Sequence, residues 1–189
     1  MDKINTISGR PGYEYLVTYM FGKVIQDLTF LFCQRFLKTP KDPNFPNYKL
    51  VEQMNGAARS NPQNVVEGFI SESLSTYITL VGVAHGSNEE LAKDYEDFLR
   101  QRGLIIWDKN HPKVREFREF RVIWTGQKSL NTPNLPKDPT EAGNMLLTFC
   151  QMEGYLLKRH VESLKEKHQT EGGFRENLLK IRLEYKKRL

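Results

Sequence analysis

The sequence predicts an all-α protein: a long antiparallel up-and-down four-helix bundle over residues 12–170, followed by a basic suffix helix over residues 171–189. Three observations carry that prediction. Apolar residues recur at helical spacing over long segments, and a 25-residue helix spans about 38 Å, which suits a bundle rather than a globin-like fold. Proline gathers at the joints, at Pro40, Pro43 and Pro46 and again between Gly126 and Pro139, while Gly172-Gly173 separates the suffix. The 189 residues are 39% hydrophobic and 27% charged, enough to bury one core without disulfide or metal staples.

The first helix is expected from about Gly12 to Lys38. Leu16, Met20, Val24, Leu28 and Leu31 form one stripe, and Phe21, Ile25, Phe32 and Phe36 a second beside it, giving a wide buried face. The second begins near Tyr48 with Leu50, Met54, Ala57 and Ala58. Pro62 lacks an amide hydrogen and crowds the preceding turn, so the helix is expected to kink or restart there, with Ser60 or Asn61 as cap. Ala57 and Ala58 leave room for a neighbouring helix.

The third helix opens after Gly68, with Ser71 or Ser73 as cap, and continues through Leu74, Tyr77, Ile78 and Val81 to Leu99. Gly103 stops it. Gly82 and Gly86 fall on one face and predict tight packing there. Val114, Phe117, Val122 and Trp124 suggest a short amphipathic helix rich in arginine, and residues 126–139 a polar connection. The fourth helix starts at Asp138-Pro139-Thr140-Glu141, capped by Asp138 or Thr140. Ala142, Met145, Leu146, Phe149, Leu156, Leu157, Val161 and Leu164 form its apolar face. In the suffix, Phe174, Leu178, Ile181 and Tyr185 repeat at spacings of four, three and four, and this stripe requires cover.

Charge divides the chain more sharply than hydropathy does. Residues 1–157 hold 18 Lys and Arg against 18 Asp and Glu, whereas the last 32 residues hold 10 against 5. A neutral body with a basic tail suits an anion- or nucleic-acid-binding appendage, and equally a solubilising helix. The candidate phosphate contacts are Lys158, Arg159, Lys165, Lys167, Arg175, Lys180, Arg182, Lys186, Lys187 and Arg188 in the tail, with Arg115, Arg118 and Arg121 before it. Tyr155 and Tyr185 can stack on bases or pack internally.

Catalytic chemistry finds little purchase. His85 and Glu89 stand one helical turn apart, but no second carboxylate–histidine cluster accompanies them, so a hydrogen bond explains the pair better than a metal. His160 and His168 lie among Lys158, Arg159 and Lys167 and are assigned to the basic surface. No histidine has an arginine five to seven positions before it, as some helical ribonucleases do. Phosphate loops, nucleophile elbows and Cys-x-x-Cys are missing from the sequence. Cys33 and Cys150 read as reduced core thiols. Arg59 either bonds carbonyls freed by Pro62 or faces a ligand. The expectation is a protein without enzymatic activity, cofactor or metal. The polar first 12 residues and the charges Lys23 and Asp27 within Tyr13–Leu37 predict a cytoplasmic chain with no membrane span.

The run from Gln53 to Gly68, Gln-Met-Asn-Gly-Ala-Ala-Arg-Ser-Asn-Pro-Gln-Asn-Val-Val-Glu-Gly, resembles the signature of the ribosomal-RNA intervening-sequence four-helix-bundle family. Ala84-His85-Gly86-Ser87-Asn88-Glu89-Glu90-Leu91 resembles that family's third-helix motif, and Tyr19 and Asp27 fit its first helix. The likeness spans roughly residues 12–165, and Glu171-Gly172-Gly173-Phe174-Arg175-Glu176 resembles the suffix of one subset. The resemblance implies an antiparallel bundle that assembles into a ring-shaped homo-oligomer, commonly a pentamer. It also implies kinship with the accessory protein of diversity-generating retroelements, which binds nucleic acid and a reverse transcriptase. The 104–139 insertion and the suffix depart from that relative. The function expected is a nucleic-acid-binding scaffold for RNA or DNA. The alternative is an adaptor whose tail helix docks on another protein or a neighbouring subunit.

Overall fold

The structure, a computed structural model, describes residues 10–37, 48–126 and 129–187. The fold is all-α. Among the described residues, six α-helices span Val17–Phe32 (α1), Tyr48–Ile70 (α2), Leu74–Gln101 (α3), Pro112–Arg118 (α4), Pro139–Glu171 (α5) and Phe174–Lys187 (α6). Among the described residues the only β-type pairing is one antiparallel bridge between Trp124 and Leu130. α1 packs on α2 and α5, and α3 packs on α2 and α5, so the four long helices enclose a common core. Its centre is aromatic: Phe32 lies 5.0 Å from Tyr95 and 4.7 Å from Phe98 between ring centroids, both edge-on.

Local chemistry sets the ends. Ser73 caps α3 by accepting from the Thr76 amide, and Asp138 caps α5 by accepting from Glu141 at 2.8 Å, with Pro139 in the first turn. α3 stops where Gly103 takes φ +65°; its amide donates to Arg100 and that of Leu104 to Leu99, satisfying two carbonyls at the helix end. The first segment is less regular than its stripes predict. A 3-10 turn over Gly12–Tyr15 precedes α1, and a π-helical turn over Cys33–Leu37 follows it. Lys38 and the prolines at 40, 43 and 46 lie outside the described residues.

Three expectations are corrected. α2 does not restart at Pro62 but runs through it, and neither Ser60 nor Asn61 acts as a cap. Ser60 instead shares a 2.8 Å hydrogen bond with Ser87 of α3, and Asn61 is buried. Packing compensates for the missing amide: Gly22 of α1 lies so close that an added Cβ would stand 3.1 Å from Asn61 and 3.3 Å from Pro62. Gly82 and Gly86 make no close approach to another helix among the described residues; both are exposed. Close approach is made by Gly22, by Gly143 against Leu99, and by Gly154 against Asn88 and Glu89.

The third correction concerns residues 104–139. α4 ends at Arg118, so Val122 and Trp124 lie outside the helix, Trp124 in the bridge with Leu130. Outside α4, the described residues between α3 and α5 form a packed strap, not only the polar connection expected. Leu130 and Leu135 join the core, and Arg35 donates to the carbonyls of Leu135 and Pro136 at 2.9 and 2.8 Å. The Asn144 side chain, almost fully buried, accepts from the Trp107 amide at 2.7 Å and donates to Ile105 at 2.8 Å. Trp124 donates to the Glu14 carbonyl at 2.9 Å and carries Arg10 over its ring. Turn residues alone do not reveal such a strap, because its fastening is by long-range bonds to backbone groups.

Candidate nucleic-acid interface

The basic residues fall into two groups. Lys158, Arg159, Lys165 and Lys167 lie exposed along the second half of α5, Arg175 lies in the first turn of α6, and Lys180, Arg182, Lys186 and Lys187 are exposed along α6. Arg188 lies outside the described residues. Arg159 pairs with Glu162 at 3.3 Å in a solvated contact, which adds little stability. In α6, Leu178 is half-buried, but Leu179, Ile181, Leu183 and Tyr185 are all more than half exposed, so these four apolar side chains are not covered by the described residues.

The second group sits at the end of α4. Arg115 and Arg118 are exposed on α4, and Arg121 follows it. Arg121 is held in place because its Nη1 donates to the carbonyls of Arg118 and Phe120 at 2.8 and 2.9 Å. Together with α1 and α5, this turn forms a cleft of about 420 Å³. Val17, Phe21, Phe120, Val122, Met152 and Leu156 supply apolar lining, while Arg118, Arg121, Gln151 and Tyr155 supply the polar rim. Phe120 stacks on Phe21 and Phe149 at 5.9 and 5.2 Å, so the floor is an aromatic layer continuous with the core. Tyr155 is 64% exposed. Lys158 and Arg159 follow three and four residues later, hence on the same side of α5. The cleft thus joins the α4 arginines to the start of the basic tail, a junction that one-dimensional charge counting could not reveal.

Sequence reading also missed a polar centre inside the core. Glu153 of α5 is 0% exposed, although it occupies a position of the apolar stripe between Phe149 and Leu157. Burial raises its carboxyl well above the ordinary range. The Asn61 amide on α2 opposes that shift, without a hydrogen bond of ordinary geometry to either carboxyl oxygen. Asn88 of α3, also fully buried, donates to the Cys150 carbonyl at 2.8 Å, one turn before Gly154. A charged residue within an otherwise apolar repeat was the available signal.

His160 does not belong to the basic surface. It is half-buried between Thr18 of α1, at 3.1 Å from Nδ1, and Tyr77 of α3, at 3.0 Å from Nε2, and burial lowers its pKa. Both ring nitrogens are satisfied, which suits a neutral interhelical bridge. His85 and Glu89 stand 3.7 Å apart on a solvated face. Cys33 and Cys150 are buried and not joined by a disulfide, and burial pushes the Cys150 thiol up, away from reactivity. Among the described residues, no group of three His, Cys, Asp or Glu could hold a metal ion, and no helix is long and apolar enough to cross a membrane.

No family model, no curated protein and no solved structure matches the chain.

Proposed function

We propose that the chain is a non-catalytic, oligomeric scaffold that binds RNA or DNA through exposed basic side chains. The observation that carries this reading is the arrangement around Tyr155: an exposed aromatic ring beside Arg118 and Arg121, with Lys158 and Arg159 leading into the basic tail. Cations following a path past an aromatic platform suit a phosphate backbone with bases stacked on the ring. The cyclic packing of α1, α2, α3 and α5 supports the further proposal that these helices form the antiparallel bundle of the intervening-sequence family. A pentameric homo-oligomer is proposed on that resemblance, with a reverse transcriptase as one class of protein partner.

A second reading draws on α6. Uncovered Leu179, Ile181, Leu183 and Tyr185 favour docking of the suffix on a neighbouring subunit or another protein.

Fluorescence anisotropy with mixed-sequence RNA and DNA across a salt series tests the proposal. Each phosphate neutralised contributes about 0.9 to the log–log salt slope on duplex DNA and about 0.7 on a single strand. Changing Lys180, Arg182, Lys186 and Lys187 together to Gln is expected to weaken binding and flatten the slope. Equal affinity and slope would remove the tail from the contact surface. Absence of binding at low salt would leave the adaptor reading.

A further inference from the structure

We propose that the cleft between α1, α5 and the turn after α4 captures one unstacked base of a single-stranded nucleic acid, with the flanking phosphates on Arg118 and Arg121. The proposal rests on the nucleic-acid reading and gives it a strand preference. A paired base must first be unstacked and unpaired, at a cost in free energy, before it can enter a recess, whereas a single strand can present a base to an apolar, aromatic floor without that cost. At about 420 Å³, the recess lies in the lower part of the range of small-ligand pockets, suited to one nucleotide rather than a docked helix. Phe120, half-buried and backed by the buried Phe21, provides ring surface at the floor, and Gln151 on the rim can hydrogen-bond a base edge.

The charges favour a polyanion over an amphiphile with one head group. Neither Arg118 nor Arg121 forms an ion pair among the described residues. Arg121 spends only Nη1 on its two carbonyls, so the other guanidinium donors remain for phosphate. Beyond Tyr155, Lys158 continues the positive track, which a single carboxylate would leave unused. The basic α6 is a poorer occupant, because Lys180, Arg182, Lys186 and Lys187 would meet the two rim arginines.

Two substitutions at exposed positions test the cleft without entering the core. Val17→Trp, at a wall residue 48% exposed, narrows the recess, and Tyr155→Ala removes the platform. The wild type is expected to bind a single-stranded 12-mer more tightly than the duplex of the same sequence, and to change the emission of 2-aminopurine placed mid-strand. Each variant should lose about tenfold in single-strand affinity, as expected for one stacked base, with duplex affinity and salt slope unchanged. Equal binding of both forms, with neither variant altering it, would overturn base capture while leaving phosphate binding in place. Failure of the wild type to bind any nucleic acid would overturn both. Saturable binding of a long-chain carboxylate that Val17→Trp abolishes, with nucleic-acid affinity untouched, would reassign the cleft to an amphiphile.

Discussion

The two halves of α5 show how one helix can serve two environments. From Ala142 to Cys150 every residue is buried, because α1, α3, α4 and the strap on either side of α4 surround that half. Beyond Leu157, among the residues of α5 whose side chains are described, the only buried one is Leu164, and Lys158, Arg159, Glu162, Lys165, Glu166 and Lys167 are exposed. The change in burial falls where the charge changes: the neutral body ends at residue 157 and the excess of Lys and Arg begins at 158. Cations accumulate where no packing partner forces them out of water, so charge reports the limit of the core as much as any ligand.

The largest expected effects lie in the buried half. Leu157→Ala should cost about 2–5 kcal/mol, whereas Leu183→Ala, in exposed α6, should stay within about 0.5 kcal/mol in chemical denaturation. A comparable loss at Leu183 would break the contrast and mean that assembly covers the suffix. Glu153 should make stability pH-dependent. Its folded carboxyl stays protonated where the unfolded chain, near 4.5, has ionised, so stability is full below pH 4.5 and falls as pH rises, by up to about 1.4 kcal/mol per unit. Glu153→Gln should remove that decline, and a variant that tracks the wild type from pH 5 to 8 would show that the carboxyl is solvated.

Ala58→Leu should overpack the α2 interior and cost about 1–3 kcal/mol; an unchanged melting curve would place the side chain outside the core. On the acid side, His160 acts in the opposite sense. Its folded pKa is lowered, so stability is retained above 6.5 and lost as pH falls, and His160→Gln should lessen that loss in melting curves below pH 6. The smallest effect is expected from the fourfold Gln variant of α6, whose unfolding midpoint should match the wild type because those side chains are solvated. A large shift would mean that α6 is packed in solution.

The long helices were legible because their signals are local. Asp138-Pro139 opens α5 and Gly103 closes α3 as their chemistry predicts. What escaped depended on contacts between distant segments. Pro62 has strong local consequences in isolation, yet packing against Gly22 carries α2 through it. Gly82 and Gly86 share a face, but periodicity does not say which face meets a neighbour. The candidate cations were legible as a list, and eight of them lie on exposed stretches of α5 and α6. The cleft joining Arg118 and Arg121 to Tyr155 was not, because its walls come from residues more than 100 positions apart.

The strap between α3 and α5 carries both tryptophans of the chain, Trp107 and Trp124. Each is tied by a hydrogen bond to a different helical region, Trp107 to α5 and Trp124 to the turn before α1. Intrinsic fluorescence is therefore an optical gauge of how the strap is seated, while far-UV dichroism is governed by the helices beneath. Emission that shifts at lower denaturant than the dichroism would give the strap a stability of its own; superimposed curves would make it part of a single cooperative unit.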